Sequence, residues 1–107
     1  MAVRLTKPWV AAAEVEHTLK GHLGVFQLAD ESGEVIYIGY AGGKSLFGLK
    51  GEVTEALSQY ADAVSFRVEI TASYLSRFRE LMMVHVADHG VQPRCNEPIQ
   101  LGRMSPG

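Results

Sequence analysis

The chain has 107 residues, 47% of them hydrophobic, and a formal net charge of −2. That length and apolar content describe one domain able to bury a core, and they exclude a disordered chain. The slightly acidic balance argues against a protein that coats nucleic acid electrostatically, and the single cysteine, Cys95, rules out an internal disulfide and suits a reducing cytosol.

No apolar run is long enough to span a membrane, so no membrane contact is expected. The N-terminus has no signal-peptide core: Ala11, Ala12 and Ala13 are too short a stretch, and Glu14 and Glu16 follow. A cytoplasmic protein is expected. Residues 1–7 read as a frayed terminus. Pro8 suits a first helical position, and residues 10–20 are good helix formers ending at Gly21, so a first helix is expected there, with Trp9 packing it onto a sheet.

Residues 24–29 and 35–40 are two short runs rich in Val, Ile, Phe and Tyr, separated by Asp30-Glu31-Ser32-Gly33-Glu34. They predict a β-hairpin. Strand alternation puts Phe26 and Leu28 on one face, Val25 and Gln27 on the other. A glycine-rich loop, residues 41–45, leads to a helix beginning near Ser45 or Leu46, whose clearest part is 52–60, with Val53, Ala56, Leu57 and Tyr60 on one stripe.

Residues 64–70 alternate apolar and polar and predict a strand with one wet face. Thr71 or Ser73 then caps a long helix to about His89, ended by Gly90. The remainder has no clear period, and residues 99–107 read as a loose tail. The order α-β-β-α-β-α describes a single α+β domain, a three-stranded, mostly antiparallel sheet flanked by helices.

Several groups of residues carry candidate chemistry. Gly39-Tyr40-Ala41-Gly42-Gly43-Lys44-Ser45 is one residue shorter than a phosphate loop, and Thr71 rather than an aspartate follows Ile70, so a nucleotide-binding module and a plain turn are the two readings. His85 and His89 stand at i, i+4, a zinc-like spacing, but Val86 replaces the glutamate of a hydrolytic motif, which favours structural roles. Residues 1–34 hold three basic side chains (Arg4, Lys7, Lys20) against five acids. Arg67, Arg77, Arg79 and Arg94 come later, as a phosphate-binding face or as solvated surface charge. Glu80, about 200° round its helix from Phe78, points away from the apolar stripe, and its carboxylate suits either an ion pair with Arg77 or a hard divalent cation.

Gly24-Val25-Phe26 on one strand and Tyr37-Ile38-Gly39 on its partner resemble the paired tripeptides of the GIY-YIG nuclease superfamily. The resemblance spans about residues 22–98. Glu80 stands where that family's metal-binding glutamate is expected, and Asn96 looks like its downstream asparagine. Phe26 replaces the first tyrosine. Phe47 occupies the spacing of the family's arginine, leaving Lys50 as the nearest basic residue.

The resemblance implies a DNA endonuclease. Tyr37, with Tyr40 nearby, would deprotonate or position a water, one Mg²⁺ or Mn²⁺ on Glu80 would polarise the phosphate, and Lys50 with an arginine would neutralise transition-state charge. Asn96 would orient the loop or a phosphate oxygen. Tyr40, Lys44, Arg77 and Arg94 are the expected substrate contacts. Tyr37, Lys50 and Glu80 are expected round one concave surface, and Tyr37 acts as a base only if a cation lowers its pKa. The alternative is a non-catalytic module of the same fold that binds nucleic acid or a protein. A stand-alone nuclease of this size calls for an assembly partner or a homodimer.

Overall fold

The computed structural model describes residues 4–96. Its elements, in chain order, are β1 (Val10–Ala11), a 3₁₀ turn (Ala12–Glu14), α1 (Val15–Thr18), β2 (Gly24–Ala29), β3 (Val35–Ala41), α2 (Gly48–Gln59), β4 (Ser65–Ile70) and α3 (Tyr74–His89). The four strands form one antiparallel sheet in the order β1-β4-β2-β3, so the α+β class holds.

The sheet has four strands rather than three, because the expected first helix is mostly something else. Val10 and Ala11 pair with Phe66 and Ser65 of β4, and the Ala12 N–H donates to the Val64 carbonyl. Only four residues of that segment are α-helical. Trp9 explains the preference: the Arg67 guanidinium lies 4.2 Å over its ring, and this stacking on β4 draws the chain out of a helical path. Trp9 therefore precedes the sheet edge instead of packing a helix.

The hairpin closes as its loop chemistry requires. Asp30 Oδ1 accepts from the Ser32 and Glu34 N–H groups, both at 3.0 Å, and Gly33 takes φ +88°. Leu28 faces Tyr37 and Ala29 faces Val35, so Ile36 is an extra, bulged residue, and both Ile36 and Tyr37 pack toward α2.

Each face of the sheet has its own core. Phe26, Leu28 and Phe66 pack with Val15, Leu19, Leu49 and Val53 under α1 and α2. On the other face Val25 and Ile38 pack with Leu81 and Met82 of α3. Leu5, 3% exposed, joins this second cluster, and Arg4 pairs with Asp88, so residues 4 and 5 are anchored rather than frayed.

The motif glycines have steric reasons. A Cβ at Gly24 would collide with the Glu69 carbonyl of β4, and one at Gly39 would lie 2.5 Å from Phe26 Cζ. The Phe26 ring thus lies across Gly39 and is 2% exposed, inside the core.

Candidate functional site

A cleft of about 1010 Å³ wraps the outer edge of β3. Strand alternation presents Tyr37 on the α2 side of that edge and Tyr40 on the α3 side. The C-terminal end of α2 contributes Gln59 and the following Tyr60, and α3 contributes Tyr74, Leu75 and Phe78 from its first two turns. The chain has four tyrosines, and all four line this cleft.

The rings are held in two groups. Tyr37 lies 4.8 Å from Tyr60 and 5.8 Å from Phe26 between ring centroids. Tyr40 stacks on Tyr74 at 5.7 Å with 19° between planes, and Phe78 meets it edge-on at 5.2 Å. The Gly43 N–H donates to the Tyr74 hydroxyl, tying the glycine-rich loop to α3.

That loop is closed on itself. The Gly42 N–H donates to Ser45 Oγ, which donates to Glu52 Oε2 at 2.8 Å. The Gly42 and Gly43 amides are therefore engaged rather than turned to a phosphate, and α2 begins at Gly48 instead of Ser45. Lys44 and Glu52 line the cleft with opposite charges.

Asn96 lies at the cleft and acts on the strand itself. Its Oδ1 accepts from the Ile38 N–H and its Nδ2 donates to the Ile38 carbonyl, both at 2.9 Å. The Cys95 N–H adds a bond to the Ile36 carbonyl. Together they cover part of the β3 edge as another strand would. Asn96 thus orients the segment that bears it, and the Cys95 thiol is free and half-buried.

Glu80 does not join Tyr37. It pairs with Arg77, which also donates to both oxygens of Glu69, and Glu69 belongs to the α3 face of β4. Tyr37 packs toward α2, so the sheet separates the two residues. The reason is helical phase: the turns that deliver Tyr74 and Phe78 to the β3 edge direct Arg77 and Glu80 toward β4. The Arg77 guanidinium, a cation itself, already neutralises the Glu80 carboxylate.

Lys50 is displaced as well. Its Nζ lies 3.7 Å from Glu16 Oε1 beside α1, away from the cleft lining. Phe47, at the arginine's spacing, is 68% exposed. Nor do the arginines converge on the cleft. Arg67 covers Trp9 and donates to Gln27, Arg77 is held as described, and Arg94 bridges Asp30 and Asp62.

Of the expected site residues the cleft gathers Tyr37, Gly39, Tyr40, Lys44 and Asn96, and it leaves out Gly24, Phe26, Lys50, Arg77, Glu80 and Arg94. Tyr37 has its pKa pushed up to about 12, first by burial and then by Tyr60, Glu52, Tyr40 and Glu55. The phenol therefore stays protonated at neutral pH, opposite to the lowered value a base requires. The cleft also takes in Glu52, Gln59, Tyr60, Tyr74 and Phe78, which no sequence motif marks as site residues. Tyr60 and Tyr74 begin or end helices, and only their type, shared with Tyr37 and Tyr40, signals a common location.

A profile of DUF7508, a domain of unknown function, matches residues 3–88. The chain belongs to the DUF7508 family. The match runs from the first strand region through α3 and covers all of the cleft except Asn96. No curated protein matches the chain. Among the described residues of this DUF7508 domain, no helix is long and apolar enough to cross a membrane.

Proposed function

We propose that this DUF7508 domain is a GIY-YIG-like module that binds nucleic acid in its tyrosine-lined cleft without cleaving it through Glu80. The observation that carries the reading is the gathering of all four tyrosines on the edge of the strand that bears Tyr37-Ile38-Gly39. Aromatic rings on a sheet edge are suited to stacking bases, and bases offer a π face whatever their sequence. The ion-paired setting of Glu80 and the raised pKa of Tyr37 both weigh against hydrolysis by the route that the motif implies. The unpaired cysteine suits a cytoplasmic location.

The test combines binding and cleavage. Anisotropy of labelled DNA and RNA oligonucleotides measures binding, and a gel of the same samples in Mg²⁺ and Mn²⁺ measures cleavage. Binding without cleavage, equal in wild type and Glu80→Gln, is the expected outcome. Cleavage that disappears in Glu80→Gln would overturn the reading.

One observation favours a second reading, divalent-metal-dependent hydrolysis. Glu52 is the carboxylate among the lining residues, and an anionic oxygen in the cleft is what a hard cation needs. On this reading cleavage survives Glu80→Gln and is abolished by Glu52→Gln.

A further inference from the structure

We propose that Tyr40 is a stacking platform for an unpaired base, so that the cleft selects single-stranded over duplex nucleic acid. The inference rests on the nucleic-acid reading and specifies its substrate class.

Tyr40 is half-exposed, at 39%, yet its ring is already ordered. Tyr74 stacks against it, Phe78 meets it edge-on, and the Gly43 amide fixes the Tyr74 hydroxyl. A base added to this pair extends an existing stack and orders little that was free before. The backbone contributes too. Asn96 takes the N–H and carbonyl of Ile38 on the outer side of β3. Strand period turns the N–H and carbonyl of Tyr40 to that same side, beside its ring. One donor and one acceptor next to a stacking surface match the hydrogen-bonding edge of a base.

Charge separates the substrate classes. Duplex binding draws on several lysines or arginines neutralising phosphates. Lys44 is the basic residue among those lining the cleft, and Glu52 opposes it. Arg77 and Arg94 are engaged by carboxylates. Stacking needs no such cations, but it needs a base outside a helix.

The test titrates one labelled oligonucleotide, alone and annealed to its complement, into wild type, Tyr40→Leu and Tyr40→Trp at one salt concentration. The single strand should bind wild type at least about 10-fold more tightly than the duplex. Tyr40→Leu should weaken single-strand binding by about 10-fold or more, and Tyr40→Trp should keep it. Thermal melts establish that the variants fold. Independently of any variant, single-strand binding to wild type should move the Tyr40 ring proton resonances upfield. Equal affinity for duplex and single strand, a folded Tyr40→Leu that binds as wild type does, or unmoved Tyr40 resonances would each overturn the proposal and leave the nucleic-acid reading standing. Absence of binding to every oligonucleotide would overturn both.

Discussion

The side-chain amide of Asn96 pairs with both main-chain groups of Ile38, at 2.9 Å each, completing the edge of β3 as a neighbouring strand would. Asn96→Ala leaves the Ile38 N–H and carbonyl without these partners at a part-buried site. The expected cost is about 1–3 kcal/mol. It should appear as a lower Tm, at about 4–8 °C per kcal/mol for a domain of this size. Asn96→Asp retains the acceptor and loses the donor, so it should also destabilise. A Tm unchanged in both variants would contradict the pairing.

In the resemblance to GIY-YIG nucleases Phe26 takes the place of a tyrosine, and its ring lies in the core across Gly39. Phe26→Tyr strands a hydroxyl there and overfills the site, and should cost about 1–3 kcal/mol. Chemical denaturation measures it. A neutral or stabilising substitution would show that the ring edge reaches the cleft after all.

Gly39→Ala tests the same contact from the other strand. The new methyl would lie 2.5 Å from Phe26 Cζ, so stability should fall by about 1–3 kcal/mol. Phe26→Leu in the same chain removes the obstructing ring tip. The double variant should therefore lose less than the sum of the single losses. Simple additivity in a double-mutant cycle would mean that the two residues do not meet.

His85 is buried on α3, with its ring 4.3 Å from that of His89. Burial, and then His89, holds its pKa below the ordinary histidine value of 6.5, against the opposing pull of Asp88 and Glu34. The unfolded chain therefore binds this proton more readily than the folded one. The contribution to stability is fully present above 6.5 and is lost as pH falls through that value toward the folded pKa. Melts from about pH 7.5 to 5 should show Tm falling with pH, and His85→Leu should flatten the decline. A Tm that rises on acidification through this window in wild type would contradict the burial of a neutral ring.

Local pattern made much of the fold legible. The hairpin, β4 and α3 follow from alternation, from Asp30 and Gly33 in the turn, and from Gly90 at the helix end, where φ is +80°. The first segment misled because Ala11–Ala13 has high helical propensity, while its fate is decided by Arg67 on Trp9 and by β4, more than 50 residues away. The motif residues on β3 were legible through their strand register. Sequence spacing points to Glu80 and Lys50 but does not reveal the helical phase that turns Glu80 to Arg77 and Lys50 to Glu16. Tyr60, on the helical stripe, and Tyr74 enter the cleft through tertiary packing, which local periodicity does not reveal.

The central claim is that the tyrosine cleft is the nucleic-acid-binding surface, and ring resonances test it most directly. Tyrosines labelled with ¹³C give four probes, all in the cleft, read while an unlabelled single-stranded oligonucleotide is added. Saturable shifts of the Tyr40 and Tyr74 rings, with backbone amides near Arg94 and Lys50 unmoved, are the predicted result. Tyrosine rings that stay in place while the oligonucleotide binds, or while amides elsewhere respond, would contradict the account.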